Sequence, residues 1–277
     1  MSVLISITAF VNSLMNAIFR PLSGAMAAMP GWLSNLIFSG IVGVLALLIF
    51  KYTSNQNAIG KVRNNIKAQM LAMKLFKDSM AVTLKVQGQL FKGAFLLLFH
   101  ALRPMLVMII PFSLVLAQLA LWYQARPLAP GEQTVLTIEV GPAAINDVKL
   151  LSLDGAKVIA GPVTAIDKNE VNWKIAAGET GYYEILFRVA DQTVTKKMIV
   201  GDGLVRLNPV RPGADIEKML MYPDEKPFPA DSPVKSISLD YPDRKSFTSG
   251  TDWWIAYFFV MSLIVALIFK PMLKVKI

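Results

Sequence analysis

Residues 32–50, WLSNLIFSGIVGVLALLIF, carry no charge, and their only polar side chains are Ser34, Asn35 and Ser39. A helix crossing a hydrocarbon core of about 30 Å needs about 20 such residues, with about 17 as the lower limit. Two more stretches have the same character. Residues 105–123, MLVMIIPFSLVLAQLALWY, are again uncharged, and residues 253–269, WWIAYFFVMSLIVALIF, are closed by Lys270. Each has aromatic rings at one end (Trp32, Trp122 with Tyr123, Trp253 with Trp254), where side chains at headgroup depth are expected. One segment of this kind is equally at home in the core of a large soluble domain. Three of them within 277 residues read as transmembrane helices.

Composition narrows the function classes. Apolar residues make up 54% of the chain, above the roughly 45–50% of soluble domains. There is no cysteine, which removes disulfide scaffolds, thiolate nucleophiles and Cys-based zinc sites. A single histidine makes a His-based metal site or a Ser-His triad a poor expectation. No segment matches a phosphate loop, a dinucleotide fingerprint, HExxH, or GxSxG in a strand–turn–helix setting. The expectation is a protein that is not an enzyme, with no catalytic residue, metal site or cofactor.

The net charge of +9 is unevenly spread. Residues 51–103 hold Lys51, Lys61, Arg63, Lys67, Lys74, Lys77, Lys85, Lys92 and Arg103 against Asp78 alone, a net +8. Residues 124–252 hold 15 basic and 18 acidic residues, a net −3, and the tail after Phe269 holds Lys270, Lys274 and Lys276. The positive-inside rule therefore predicts a multi-pass protein of the cell (cytoplasmic, inner) membrane. Residues 51–103 and 270–277 lie in the cytoplasm, and the N-terminus and 124–252 lie outside. The cations then meet the anionic lipids of the inner leaflet, with Lys61, Arg63, Lys67, Lys74 and Lys77 facing lipid. DNA is not an expected partner, whereas a ribosome is a second polyanionic surface for such a loop.

Around the spans 32–50, 104–123 and 253–269 the remaining segments read as follows. Residues 1–31 begin with an apolar run broken by Ser6, Thr8, Asn12, Ser13 and Asn16. No basic region precedes it, as a signal peptide would have, and Arg20-Pro21 would follow a fourth span awkwardly. Val3, Ile7, Phe10, Leu14 and Ile18 recur at 3–4 spacing, which predicts an interfacial helix on the outer face. In 51–103, Val62, Ile66, Met70, Met73, Phe76, Met80 and Leu84 form another such stripe, flanked by Lys67, Lys74 and Lys77. VTLKVQGQ at 82–89, rich in β-branched residues and glycine, reads as the point of reversal. The segment is thus expected to be a coiled-coil-like antiparallel helical hairpin, with one arm continuing into the second span. A single amphipathic helix on the lipid surface is the alternative.

From 128 to 202 the pattern changes to short β-rich runs, at 134–140, 148–153, 157–166, 171–176, 182–190 and 193–200. Turn pieces such as Pro130-Gly131, Asp154-Gly155 and Gly161-Pro162 separate them. Trp173 in VNWKI and Tyr182 with Tyr183 in ETGYYEILFRV resemble the core tryptophan and tyrosine corner of immunoglobulin-like sandwiches. Residues 203–252, rich in proline, read as an extended connector with one strand at 236–241. The fold class is a membrane protein of three transmembrane α-helices with a cytoplasmic helical hairpin, plus an extracytoplasmic all-β immunoglobulin-like sandwich.

KAQMLAMKLFKDSM at 67–80 and LRPMLVMIIPFSLVLAQLALWY at 102–123, in this order of elements, resemble the YidC/Oxa insertase superfamily. The likeness is to its minimal three-span branch, which includes archaeal YidC-like proteins and the insertase subunit of the ER membrane complex. The resemblance covers 32–123 and 253–277. It implies a groove open to cytoplasm and lipid that eases polar segments of client membrane proteins across the bilayer, where each buried polar group costs several kcal/mol. On that reading Arg103 and His100 stand at the groove mouth. Ser34, Asn35, Ser39 and Gln118 hydrate its walls, and Met70, Met73, Met80, Met105 and Met108 form a deformable client surface. Each has a plainer alternative: a snorkelling Arg103, a satisfied His100, a methionine stripe inside the hairpin, and hydrogen bonds between helices for the polar set. The chain departs from bacterial YidC proteins in three ways. It has no arginine in 32–50, it lacks two further spans, and it carries a sandwich between spans two and three. Its expected function is to assist insertion, folding or assembly of membrane proteins. The alternative is a non-catalytic scaffold subunit that holds fixed partners in a larger membrane complex through the sandwich.

Overall fold

The computed structural model describes residues 2–76, 80–246, 248 and 253–275. Among the described residues three helical stretches are long and apolar enough to cross a membrane, Val3–Ala27, Gly31–Thr53 and Met80–Tyr123, and Trp253–Phe269 is a shorter apolar stretch. The chain is therefore a membrane-embedded protein with a separate antiparallel β region. Two of the expected spans fall within helices α3 (Gly31–Thr53) and α5 (Met80–Tyr123), and the third within α7 (Trp253–Leu273). The N-terminal helix α1 (Ser2–Phe19), with the short α2 (Ser23–Ala27) after it, is also long enough. The chain divides into two units, one of Met1–Asn35 with Leu114–Tyr257, the other of Leu36–Ser113 with Phe258–Ile277.

In the helical unit, α3 and α7 meet where side chains are smallest. A Cβ added at Gly43 would lie 2.3 Å from the Ser262 carbonyl oxygen, and one at Gly40 would touch Val265. Such close backbone approach is the usual way apolar helices associate where burial from water supplies no driving force. Helix α4 (Gln56–Leu75) is started by Asn55, whose Oδ1 accepts the Ala58 N–H at 3.0 Å. It meets α5 where Gly93 leaves room for Ile66, since a Cβ there would lie 2.6 Å from Ile66 Cγ1.

The reversal expected at 82–89 is not there. Those residues belong to α5, which is helical from Met80 to Tyr123. Local β-preference lost to packing, because Val86 is buried in the helical unit and Gly88 faces open space, where a helix tolerates it. At about 1.5 Å per residue, the 44 residues of α5 extend about 66 Å, twice a hydrocarbon core. Pro104 and Pro111 sit inside it without ending it.

The other unit is built on eight strands: β1 (Gln133–Val140), β2 (Val148–Leu153), β3 (Ala156–Ala165), β4 (Glu170–Ala177), β5 (Gly181–Val189), β6 (Gln192–Val200), β7 (Val210–Pro212) and β8 (Val234–Leu239). They form an antiparallel five-stranded sheet, β3-β4-β1-β8-β7, and a three-stranded sheet, β2-β5-β6. Side chains alternate in and out along β1 and β4, as the period of two requires. Leu136, Ile138, Trp173, Ile175 and Ile237 from the larger sheet share one buried cluster with Ile185, Phe187 and Met198 from the smaller. The two sheets thus enclose a single apolar core, in which Trp173 and Phe187 lie 5.5 Å apart between ring centroids. Tyr183, at the start of β5, donates its hydroxyl to the Glu179 carbonyl at 3.0 Å. The expected strand near 236–241 is β8, and it is central rather than peripheral, pairing with β1 from Leu136↔Leu239 to Val140↔Val234. Residues 203–252 are therefore not only a connector, since they complete the larger sheet.

Candidate functional site

Helices α4 and α5 present a surface of unusual character. Met70, Leu71, Leu75 and Phe76 are exposed at the end of α4, and Met80, Leu84, Phe91, Phe95, Leu98, Phe99 and Leu102 along α5. Phe91, Phe95, Leu98 and Leu102 recur at helical spacing, so they form one continuous apolar ridge. Lys61, Lys67 and Lys74 are exposed beside it and Arg63 is half-buried; Lys77 lies outside the described residues. Met70, Met80 and Met105 are exposed, and Met73 and Met108 half-buried, so the stripe is surface rather than the inside of a hairpin. Arg103 is exposed, with no charged partner among the described residues. His100 is half-buried, and its Nδ1 lies 2.7 Å from the Leu96 carbonyl one turn back, so the ring is satisfied by its own helix.

The four polar span residues are placed differently from the expectation. Ser34, Asn35, Ser39 and Gln118 are all at most 1% exposed. Tyr123 donates its hydroxyl to Ser34 Oγ at 3.0 Å, and Ser34 donates to the Gly31 carbonyl at 3.1 Å. Asn35 Nδ2 donates to the Thr248 carbonyl at 2.8 Å. Gln118 Nε2 donates to Asn16 Oδ1 at 3.2 Å, while its Oε1 accepts from Arg206 at 2.7 Å. Burying a polar group is tolerated only when it is hydrogen-bonded, and here those bonds are made inside the fold rather than offered to a hydrated wall.

Gln118 belongs to a polar junction that the sequence reading missed. Arg206, from the proline-rich segment, is almost fully buried, with Nε 2.9 Å from Asp224 Oδ1 and Nη2 2.5 Å from Asn16 Oδ1. Its guanidinium lies over the Trp122 ring at 5.2 Å. Asn16 and Asn12 in turn donate to the carbonyls of Pro223 and Met219, each at 2.7 Å, the latter in helix α6 (Ile216–Met221). Arg20 closes the arrangement with Nη2 2.7 Å from the Asp224 carbonyl. A cleft of about 590 Å³ lies between α1 and residues 223–227, lined by Asn12, Asn16, Arg20 and Asp224 among others. The available signal was the spacing of Thr8, Asn12 and Asn16, which puts them on one face of an otherwise apolar helix. That face is buried, while Val3, Ile7, Phe10, Leu14 and Ile18 on the other are 52–70% exposed.

Among the described residues no cluster of His, Asp or Glu suited to a metal ion is found. Comparison of the chain with family models, with curated proteins and with solved structures finds no match.

Proposed function

We propose that this protein is a membrane-protein biogenesis factor of the YidC/Oxa type, which receives apolar segments of client proteins on the α4–α5 surface. The observation that carries this reading is the exposed apolar ridge of α5 flanked by lysines, on a helix twice as long as a bilayer core is thick. A surface that soluble proteins avoid needs a ligand or lipid to cover it. Methionines at its edge can fit side chains of varied shape. The element order supports the same reading: apolar helix, basic helix pair, apolar helix, β region, apolar helix.

In this reading the basic helix pair is a cytoplasmic hairpin and the β domain lies outside the cell membrane. Helix α1 lies along the outer leaflet, its polar face held by α6 and the 206–224 segment and its apolar face in lipid. The β domain is immunoglobulin-like. Strands β1 to β6 follow the B-to-G order of that fold, β8 stands where the first strand would pair with B, and Tyr183 has the hydrogen bond of a tyrosine corner. Trp173 departs from the pattern, since it lies on the strand in the E position rather than C.

The scaffold alternative is favoured by one observation. Ser34, Asn35, Ser39 and Gln118 are buried, which leaves the spans without the polar wall that an autonomous insertase would use. Reconstitution separates the two readings. Purified protein in liposomes should raise insertion of a client with a short polar tail, and Arg103→Ala should lower it. Insertion no higher than in empty liposomes, with stable co-purification of fixed partners that is lost on altering the β domain, would establish the scaffold instead.

A further inference from the structure

A buried trio in the β domain plays no part in the client surface. Lys196 on β6 is fully buried, and its Nζ donates to the main-chain carbonyl of Asn208 at 2.6 Å and to Glu225 Oε1. Asn208 is buried beside it. Its Nδ2 donates to the same Glu225 Oε1 at 3.3 Å and to the Val210 carbonyl at 2.9 Å. Its Oδ1 is buried with no hydrogen-bond partner among the described residues. Glu225 is held in turn by the Lys197 N–H, 3.3 Å from Oε2. One carboxylate oxygen thus touches both an amine and a carboxamide, out of water.

The chemistry follows from that burial. An ion pair without solvent is expensive, and moving one proton from the ammonium to the carboxylate yields a neutral amine and a carboxylic acid. Burial pushes the Lys196 ammonium in that direction, opposed by the charge of Glu225. A neutral amine is a nucleophile, and a neighbouring carboxylic acid is a proton donor to a carbonyl.

We propose that Lys196 and Asn208 become joined by an intramolecular isopeptide bond, formed without any other enzyme and with Glu225 as the proton-transfer catalyst. The Nζ lone pair attacks Asn208 Cγ, forming the C–N bond as the carbonyl electrons move to Oδ1. Glu225 supplies a proton to that oxygen and carries the Nζ proton to Nδ2, then takes the hydroxyl proton back as the C=O re-forms and the intermediate collapses. The Cγ–Nδ2 bond breaks and ammonia leaves. Nothing is oxidised or reduced, and no co-reactant is needed. Holding both groups on one carboxylate oxygen converts a slow reaction between amine and amide into an intramolecular one. The bond would tie residues 12 apart, anchoring to β6 the segment that holds α1, in a domain with no cysteine to form a disulfide.

The test is the intact mass of the full chain extracted in detergent. The wild type should be lighter than its sequence by one ammonia, with a branched proteolytic peptide linking Lys196 to Asn208 and no tryptic cleavage after Lys196. Lys196→Arg should keep the full mass, as should Glu225→Gln. Asn208→Asp should reach the wild-type mass by losing water instead. A wild-type chain of unmodified mass, cleaved normally after Lys196, would overturn the proposal. So would ammonia loss that maps to another residue, and a Glu225→Gln chain that still cross-links would remove Glu225 from the catalytic role.

Discussion

Glu132 illustrates how much one side chain can hold together where the second long helix gives way to the β domain. Both its oxygens accept from the Arg126 guanidinium, at 2.7 and 2.8 Å, and Oε2 also accepts the Ala129 N–H at 2.8 Å. The Arg126 hydrogen bond foremost, against slight burial, holds the Glu132 carboxyl below its ordinary range. Because the folded value is depressed, the stabilisation is fully present above the ordinary carboxylate pKa. It is lost as the pH falls through the lower folded value. Unfolding of wild type and Glu132→Gln should therefore differ at neutral pH and converge in acid, as denaturation at a series of pH values would reveal. At Arg206, truncation to alanine removes the only described donor to Gln118 Oε1 and a donor to Asn16 Oδ1. An orphaned buried acceptor costs about 1–3 kcal/mol, and amide exchange in residues 2–19 should quicken accordingly. Neither arrangement was legible in the sequence, because both join residues that are distant in the chain or sit in turns without periodicity. The resemblance singled out Arg103 and His100 instead; Arg103 is exposed, and half-buried His100 is bonded to its own helix.

The elements were far more legible than their ends. Apolar runs and period-two alternation located three apolar helices and most of the strands, since burial imposes those periods directly, although Trp253–Phe269 is shorter than the others and Val3–Ala27 is also long enough to span. The expected turn at 82–89 failed because Gly88 and the β-branched residues around it were weighed by local preference alone. Helix α5 runs straight through them. If so, Gly88→Ala, with open space around the position, should stabilise the chain by about 0.5–1 kcal/mol. A loss of stability in thermal unfolding would restore the turn. Gly43 behaves in the opposite way, since its Cβ would meet a backbone carbonyl and not the end of a flexible side chain. Gly43→Val should lower the midpoint of thermal unfolding in detergent, consistent with the about 1–3 kcal/mol of an overpacked contact. Helix α1 was legible as amphipathic, but not that its polar face would be bonded inside the fold. Its polar stripe is the buried one, and the apolar stripe is left outward.

For the molecule as a whole, the +9 charge and the high apolar content belong to different segments, lysines on the helix pair and uncharged runs in the spans. The β domain is closed by its own strand β8, with α1 hydrogen-bonded to the 206–224 segment, and α5 carries an exposed apolar ridge. A role in membrane-protein biogenesis depends on what covers that ridge. Site-specific photo-crosslinking from Phe95 on α5, during synthesis of membrane proteins in cells, tests it most directly, with Tyr182 on the β domain as the comparison. A client-receiving ridge should give transient adducts from Phe95 with many different nascent membrane proteins, and few from Tyr182. A single constant adduct at Phe95, or lipid alone, would contradict it.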